Sequence, residues 1–244
     1  MTTVKLYEFS LCPFCNKVRA GLELKGIPFE SVEVSPRSKV ELPPLPEGTP
    51  KKVPVLQHGT DTVADSTAIL NYIEERFPDG ARFHPQDGEA RKRSDEIEDW
   101  VDTQFIEALP TVIYGTWGEA VQAARIVAAN SKLTGGQKFM VQLAGAIVMK
   151  QISKRILKRN NRDNAHAWVR DNAAEFASWL GDKPFVLGDQ PYLADVAMHG
   201  AMTCVKQFPI FDELMRTENL AAWYKRMDER RGAGGNGDRG GAAT

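Results

Sequence analysis

Cysteine is scarce in this chain, with three residues in 244. That excludes a disulfide framework, because Cys12 and Cys15 form one close pair and Cys204 has no partner left. Neither sign of charge prevails: 31 Lys and Arg stand against 32 Asp and Glu, for a net charge of −1. Nothing global therefore favours nucleic acid or a membrane surface. Long apolar runs are also missing. The longest, near Phe139 to Met149, contains Gln142 and is too short to span a bilayer. Strand-like residues begin at Thr3, leaving no room for a signal peptide, so a reducing, cytoplasmic setting is the expectation. No internal repeat is visible.

What is present falls into two patterns. Residues 3–9 alternate as a strand, and Pro13 suits the first turn of a following helix. That helix carries Val18, Gly21, Leu22 and Lys25 on one stripe and stops at Gly26. Phe29 to Val34 reads as a second strand, and a proline-rich loop over 43–50 follows. Val53 to Gln57 and Thr62 to Ala64 read as short strands around a turn at 58–61. A helix then starts near Asp65 and Ser66, with Ile69, Tyr72, Ile73 and Phe77 on one face. The order β-α-β-loop-β-β-α predicts an α/β thioredoxin-like domain over 1–77, a four-stranded mixed sheet with flanking helices. Residues 78–88 read as a linker. Helical periodicity alone continues over 89–231, predicting an all-α C-terminal domain with one helix interrupted near Pro110. Glycine dominates 232–244, which predicts a disordered tail.

Cys12-Pro13-Phe14-Cys15 carries the chemistry. It lies where a strand stops and a helix starts, so the Cys12 sulfur meets unpaired N–H groups at the positive end of a helix dipole. A thiol there ionises more easily, and the thiolate attacks electrophiles and disulfides. An ordinary cysteine is only a few per cent thiolate at neutral pH. A shift of ~2 units needs roughly 2.7 kcal/mol, within reach of this placement. The same spacing could form half of a zinc site, but there is no second pair, and His58, His84, His166 and His199 are scattered. No metal site is expected.

Two further features sharpen the reading. Lys52-Val53-Pro54-Val55-Leu56 places a proline at the head of a strand. If Val53–Pro54 is cis, the Val53 backbone faces outward to pair with an extended peptide. Asp65-Ser66 opens a helix whose N-terminus suits a carboxylate, and Asp65 suits an ammonium. Together these describe a pocket for glutathione. Each also has a plain structural role, as a strand start or a helix cap.

Cys12 to Cys15, Lys52 to Leu56 and Asp65-Ser66, followed by a helical region, resemble the glutathione transferase superfamily. The stretches Cys12 to Ala20, Lys52-Val53-Pro54 and Ile152-Ser153-Lys154-Arg155 are most similar to its type 2 prostaglandin E synthase branch. Pro184-Phe185, Leu193-Ala194-Asp195 and Trp223-Tyr224 extend the likeness, which covers nearly all of residues 4–230. The resemblance implies glutathione as cosubstrate and Cys12 as the working thiol. Phe14 would line the cysteinyl part, Lys52, Val53 and Pro54 the tripeptide backbone, and Asp65 and Ser66 the γ-glutamyl end. It also implies a homodimer, and in that branch haem bound together with glutathione.

The chain departs from that branch in three respects. Phe9 stands three residues before the thiol, where the branch has tyrosine, so that hydroxyl is absent. Tyr192 replaces the small polar cap before Leu193-Ala194-Asp195, so Asp195 must satisfy the helix start differently. The membrane-anchoring extension of the animal synthases is missing, and a soluble protein is expected. Three functions stay open: glutathione-dependent transfer or isomerisation, Cys12/Cys15 disulfide exchange of the glutaredoxin kind, and a non-catalytic interaction module. The second substrate would be a hydrophobic electrophile, a peroxide or a mixed disulfide. Trp100, Phe105, Tyr114 and Trp117 are candidates for its apolar pocket, with core packing as their other role. Cys204 reads as core. The basic run from Lys150 to Arg162 reads as a solvated helix face or an attractor of anions.

Overall fold

The computed structural model describes residues 3–35, 38–129 and 148–234. Strand β1 (Val4–Glu8) runs into helix α1 (Pro13–Leu24), and β2 (Phe29–Glu33) returns parallel to β1. After the proline-rich loop come β3 (Val55–His58), β4 (Asp61–Ala64) and α2 (Ser66–Arg76). The sheet order is β2-β1-β3-β4, with both pairs involving β3 antiparallel. This is the mixed four-stranded sheet expected. The pleat divides the strands as their period of two requires: Val4, Leu6 and Leu56 enter the main core, while Tyr7 and Val55 pack on the opposite face with Val34. Leu42, Leu45 and Val53 from the long loop cover that second face.

Helix α1 ends where expected, at Lys25, and Gly26 follows at φ +67, the left-handed conformation that suits glycine. The 78–88 segment is more than a spacer. Phe83 is fully buried, and its carbonyl accepts the Leu193 N–H at 2.8 Å. Beyond it α3 (Gly88–Trp100), a π-helical segment (Val101–Phe105) and α4 (Ile106–Ile113) form one continuous rod. The expected break at Pro110 is not there. The helix carries Pro110 inside α4, and the irregularity sits earlier, in the wider π turn.

Helix α5 (Trp117–Ala129) precedes a helix over 148–159, here α6. Then follow α7 (Ala165–Leu180), α8 (Leu193–Cys204), α9 (Pro209–Leu214) and α10 (Glu218–Gly234). Helix α10 thus continues three residues into the stretch expected to be disordered. Residues 235–244 and most of the apolar run 139–149 lie outside the described residues. No helix among the described residues is long and apolar enough to cross a membrane.

One hydrophobic core serves both halves, from Val4 and Leu6 through Phe105 and Phe176 to Trp223 and Met227. Helices α1 and α8 make its central seam. At Gly200 they approach so closely that a Cβ would lie 2.5 Å from the backbone N and Cα of Lys17. Asp195 solves the helix-start problem left by Tyr192. Its Oδ2 accepts the Tyr192 N–H at 3.1 Å, and its Oδ1 accepts Val186 N–H at 3.0 Å and Trp223 Nε1–H at 2.8 Å.

Candidate active site

The sheet register brings the predicted site residues to one end of the sheet. Cys12 follows the C-terminal end of β1, Val53–Pro54 precedes the N-terminal end of β3, and Asp65 follows the C-terminal end of β4. Because Tyr7 pairs with Val55, and Val55 with Ala64, those three ends are adjacent. The Val53–Pro54 peptide is cis. β3 begins at Val55, two residues later than expected, so Val53 lies outside the ladder. Lys52 is exposed, and its N–H donates to the Pro50 carbonyl at 2.8 Å.

Cys12 occupies the N-cap of α1 in an extended conformation, with Pro13 in the first turn where a missing N–H costs nothing. The neutral thiol makes no formal cap hydrogen bond. The Cys15 thiol faces it, and the N–H groups of Cys15 and Phe14 point toward it. These hold the Cys12 pKa below the ordinary thiol value, against the opposing effects of burial and the Glu8 charge. Cys15 behaves inversely. It is fully buried, and desolvation, followed by its bond to Cys12 and the Cys12 charge, pushes its pKa well above normal. The pair is thus one thiol poised to ionise and one that stays protonated as its donor. Both are free cysteines.

The loop that carries Cys12 is fixed from several sides. Asn16 Nδ2 donates to the carbonyls of Ser10 and Cys12, each at 3.0 Å. Ser10 Oγ donates to Glu33 at 2.8 Å. Cys204, buried as expected, donates its S–H to the Leu11 carbonyl at 3.0 Å. Tyr114, at the C-terminal end of α4, lies within electrostatic reach of both Cys204 and Cys12. Burial and, to a lesser extent, those sulfurs push its phenol up to about 12, so it remains a neutral donor. Of the four aromatic residues considered for an acceptor pocket, Tyr114 is the one coupled to the thiol. Phe105 is core, Trp100 packs edge-on to Trp179 with centroids 4.7 Å apart, and Trp117 is exposed.

At the start of α2, Asp65 Oδ1 accepts the N–H groups of Thr67 and Ala68, both at 3.0 Å, and Ser66 is buried in the first turn. Beneath lies a network that sequence reasoning missed. Lys17, fully buried on α1, contacts Glu98, Asp102 at 2.9 Å and Thr67 Oγ1 at 3.1 Å. Burial raises the Asp102 pKa to about 6 despite Lys17, and Glu98 and Asp65 add to the rise. Asp102 Oδ1 is buried with no hydrogen-bond partner among the described residues. The only local signal was a lysine one residue from the apolar stripe of α1. Its partners lie fifty and more than eighty positions away.

Among the described residues no three His, Cys, Asp or Glu side chains converge as a metal site. Each histidine has partners away from the thiol: His58 with Tyr72, His84 with Asn71, His166 with Glu119 and Glu213, and His199 with Arg231. None of these contacts brings an imidazole to Cys12, so a haem there would have the Cys12 thiolate rather than a histidine as its ligand.

Residues 6–82 match the family described as glutathione S-transferase, N-terminal domain. Over 91% of this chain and 69% of the relative, the sequence is 26% identical to prostaglandin E synthase 2 of Mus musculus. The corresponding protein of Danio rerio is 27% identical over 92% of this chain and 70% of its own length. Among solved structures, a glutathione S-transferase from Methylobacterium radiotolerans in complex with glutathione sulfonate superimposes with a TM-score of 0.59. The identity is 23%, covering 95% of this chain and 93% of that one. Glutathione S-transferase III in its apo form gives a TM-score of 0.61 at 17% identity, covering 95% and 96%. The family match over residues 6–82, the 26–27% identity over most of the chain and the fold agree in placing this chain beside the glutathione S-transferases, with a glutathione S-transferase N-terminal domain at its head.

Proposed function

We propose that this protein is a cysteine-type, glutathione-dependent thiol transferase in which Cys12 is the reactive group. The observation that carries the reading is the asymmetry of the two thiols, with Cys12 favoured as thiolate and Cys15 held protonated beside it. In the first step the Cys12 thiolate attacks the glutathionyl sulfur of a mixed disulfide. The S–S bond breaks, the substrate leaves as its thiolate and takes up a proton, and Cys12 becomes disulfide-bonded to glutathione. A second glutathione thiolate then attacks that disulfide, releasing oxidised glutathione and regenerating the Cys12 thiolate. Cys15 donates its S–H to Cys12 and forms no covalent bond in either step.

The tripeptide lies across the shared sheet end. Phe14 flanks its cysteinyl part, and the backbone at Lys52, Val53 and Pro54 pairs with it. The α2 N-terminus at Ser66 meets the γ-glutamyl carboxylate. Asp65 and the unpartnered Asp102 Oδ1 meet the ammonium. The 1–77 domain holds glutathione, and the helical region over 89–231 shapes the acceptor side, in keeping with a reducing, cytoplasmic setting. Isomerisation of a peroxide is the second reading. It is suggested by the prostaglandin E synthase 2 likeness and by Tyr114, a neutral phenol that feels the charge of Cys12.

Reduction of a glutathionylated peptide, assayed for Cys12→Ser and Cys15→Ser separately, tests this. Cys12→Ser abolishes turnover and Cys15→Ser retains it. Loss of turnover in both would replace this mechanism by a dithiol one.

A further inference from the structure

The basic run of α6 takes no part in the thiol site, and its surroundings give it a role of its own. One side of α6 is closed: Ser153 is buried, Ile156 and Leu157 pack against the core, and Asn160 bonds Glu107 of α4 at 3.2 Å. At 100° per residue Lys150, Lys154 and Lys158 form a row that winds from the flank of that closed side toward the side opposite it, with Arg155 beyond Lys158. Arg159, at its edge, is engaged by Glu107. From 148 to 162 there is no acidic residue.

Apolar side chains adjoin this row instead of acids. Trp117 on α5 is 53% exposed and Val121 one turn on is 41% exposed. Lys150 Nζ sits 4.5 Å above the Trp117 ring, which makes the aromatic and cationic strips one surface. Arg125 continues the Trp117–Val121 stripe, while the single acid of α5, Glu119, is turned inward onto Thr116 and His166. Two of the four large hydrophobic side chains exposed among the described residues, Trp117 and Val121, thus stand on one cation-lined face.

We propose that this α5–α6 face is a docking surface for anionic phospholipid membranes. The charges decide the occupant. From Lys150 to Lys158 they extend ~12 Å along one helix, a spacing that fits an array of headgroups rather than one bound anion. Exposed tryptophan and valine beside the cations suit the boundary between headgroups and acyl chains. The orientation leaves the thiol chemistry untouched, and the inference stands independently of it.

The test is flotation of the full chain with phosphatidylcholine vesicles, with and without phosphatidylserine, at low and physiological salt. The chain floats only with phosphatidylserine and is released by salt. Lys154→Gln/Lys158→Gln weakens binding roughly 30-fold. Trp117→Ser weakens it as well, with far-ultraviolet dichroism, urea unfolding and mixed-disulfide reduction unchanged by either variant. Equal binding to neutral vesicles, indifference to the lysine substitutions, or no binding would overturn the proposal. So would capture by polyglutamate in place of vesicles, or a dimer in sedimentation that these substitutions dissociate, since acidic protein or a second copy would then be the occupant.

Discussion

The reactivity proposed for Cys12 comes from where the chain puts it, and that placement is readable locally. A CxxC with proline second, at a strand-to-helix junction, fixes the sulfur at an N-cap whatever the rest of the chain does. Asp65 is legible for the same reason, because its cap bonds reach only two and three residues ahead. The role of Cys15 was not legible, since CxxC spacing alone permits a resolving thiol or a packed one. Burial decides it. Cys15→Ala removes the largest contribution lowering the Cys12 pKa, so that pKa rises. Alkylation of Cys12 by iodoacetamide at neutral pH then slows severalfold, followed by mass spectrometry of the modified peptide. Alkylation at the wild-type rate would assign the activation to the helix N-terminus alone.

At the scale of elements, the strand and helix order follows from periodicity, and the sheet formed as read. The misplaced details have specific causes. Val53 and Pro54 look like strand, but Pro54 brings no N–H and pairing begins only at Val55. Pro110 looks like a break, yet the rod absorbs its irregularity in the π segment upstream. The contact between α1 and α8 rests on Gly200, whose role needs the Lys17 backbone 183 positions earlier in sequence and so leaves no local trace. Gly200→Ala forces the two helices apart and destabilises the protein by about 3 kcal/mol in urea unfolding, because the obstacle is backbone and cannot rotate away. The α8–α10 seam carries a second test. His199 is fully buried. Its Nδ1 takes a hydrogen bond from Arg231 at 2.9 Å, Nε2 lies 3.1 Å from Asp228, and Lys206 is nearby. Desolvation lowers its pKa from 6.5 to about 4. The unfolded chain therefore binds a proton between those values that the native protein does not, and stability falls as pH drops through that window. The contribution is about 3 kcal/mol. Asp102 and Asp195, both raised to about 6, act in the opposite sense there, so the readout is the difference between wild type and His199→Gln. Parallel stability profiles for the two would show that His199 titrates alike in both states.

The whole molecule is held together where its two halves meet, and this scale was the least legible. The 78–88 segment reads as a linker by composition, yet Phe83 is buried in the common core. The Lys17, Glu98, Asp102 and Thr67 network joins α1 and α2 of the sheet domain to the α3 rod of the helical one. No window of sequence contains its members. Lys17→Met leaves Glu98 and Asp102 buried without their cation and lowers stability by about 3–5 kcal/mol. Weakened glutathione binding accompanies it, measured by calorimetry, if the network also orders the α2 N-terminus. The proposed chemistry turns on which sulfur takes glutathione. Wild-type protein incubated with oxidised glutathione and mapped by mass spectrometry will carry a single glutathionyl group on Cys12, with Cys15 and Cys204 unmodified. A Cys12–Cys15 disulfide in its place, or glutathione on neither residue, would contradict it.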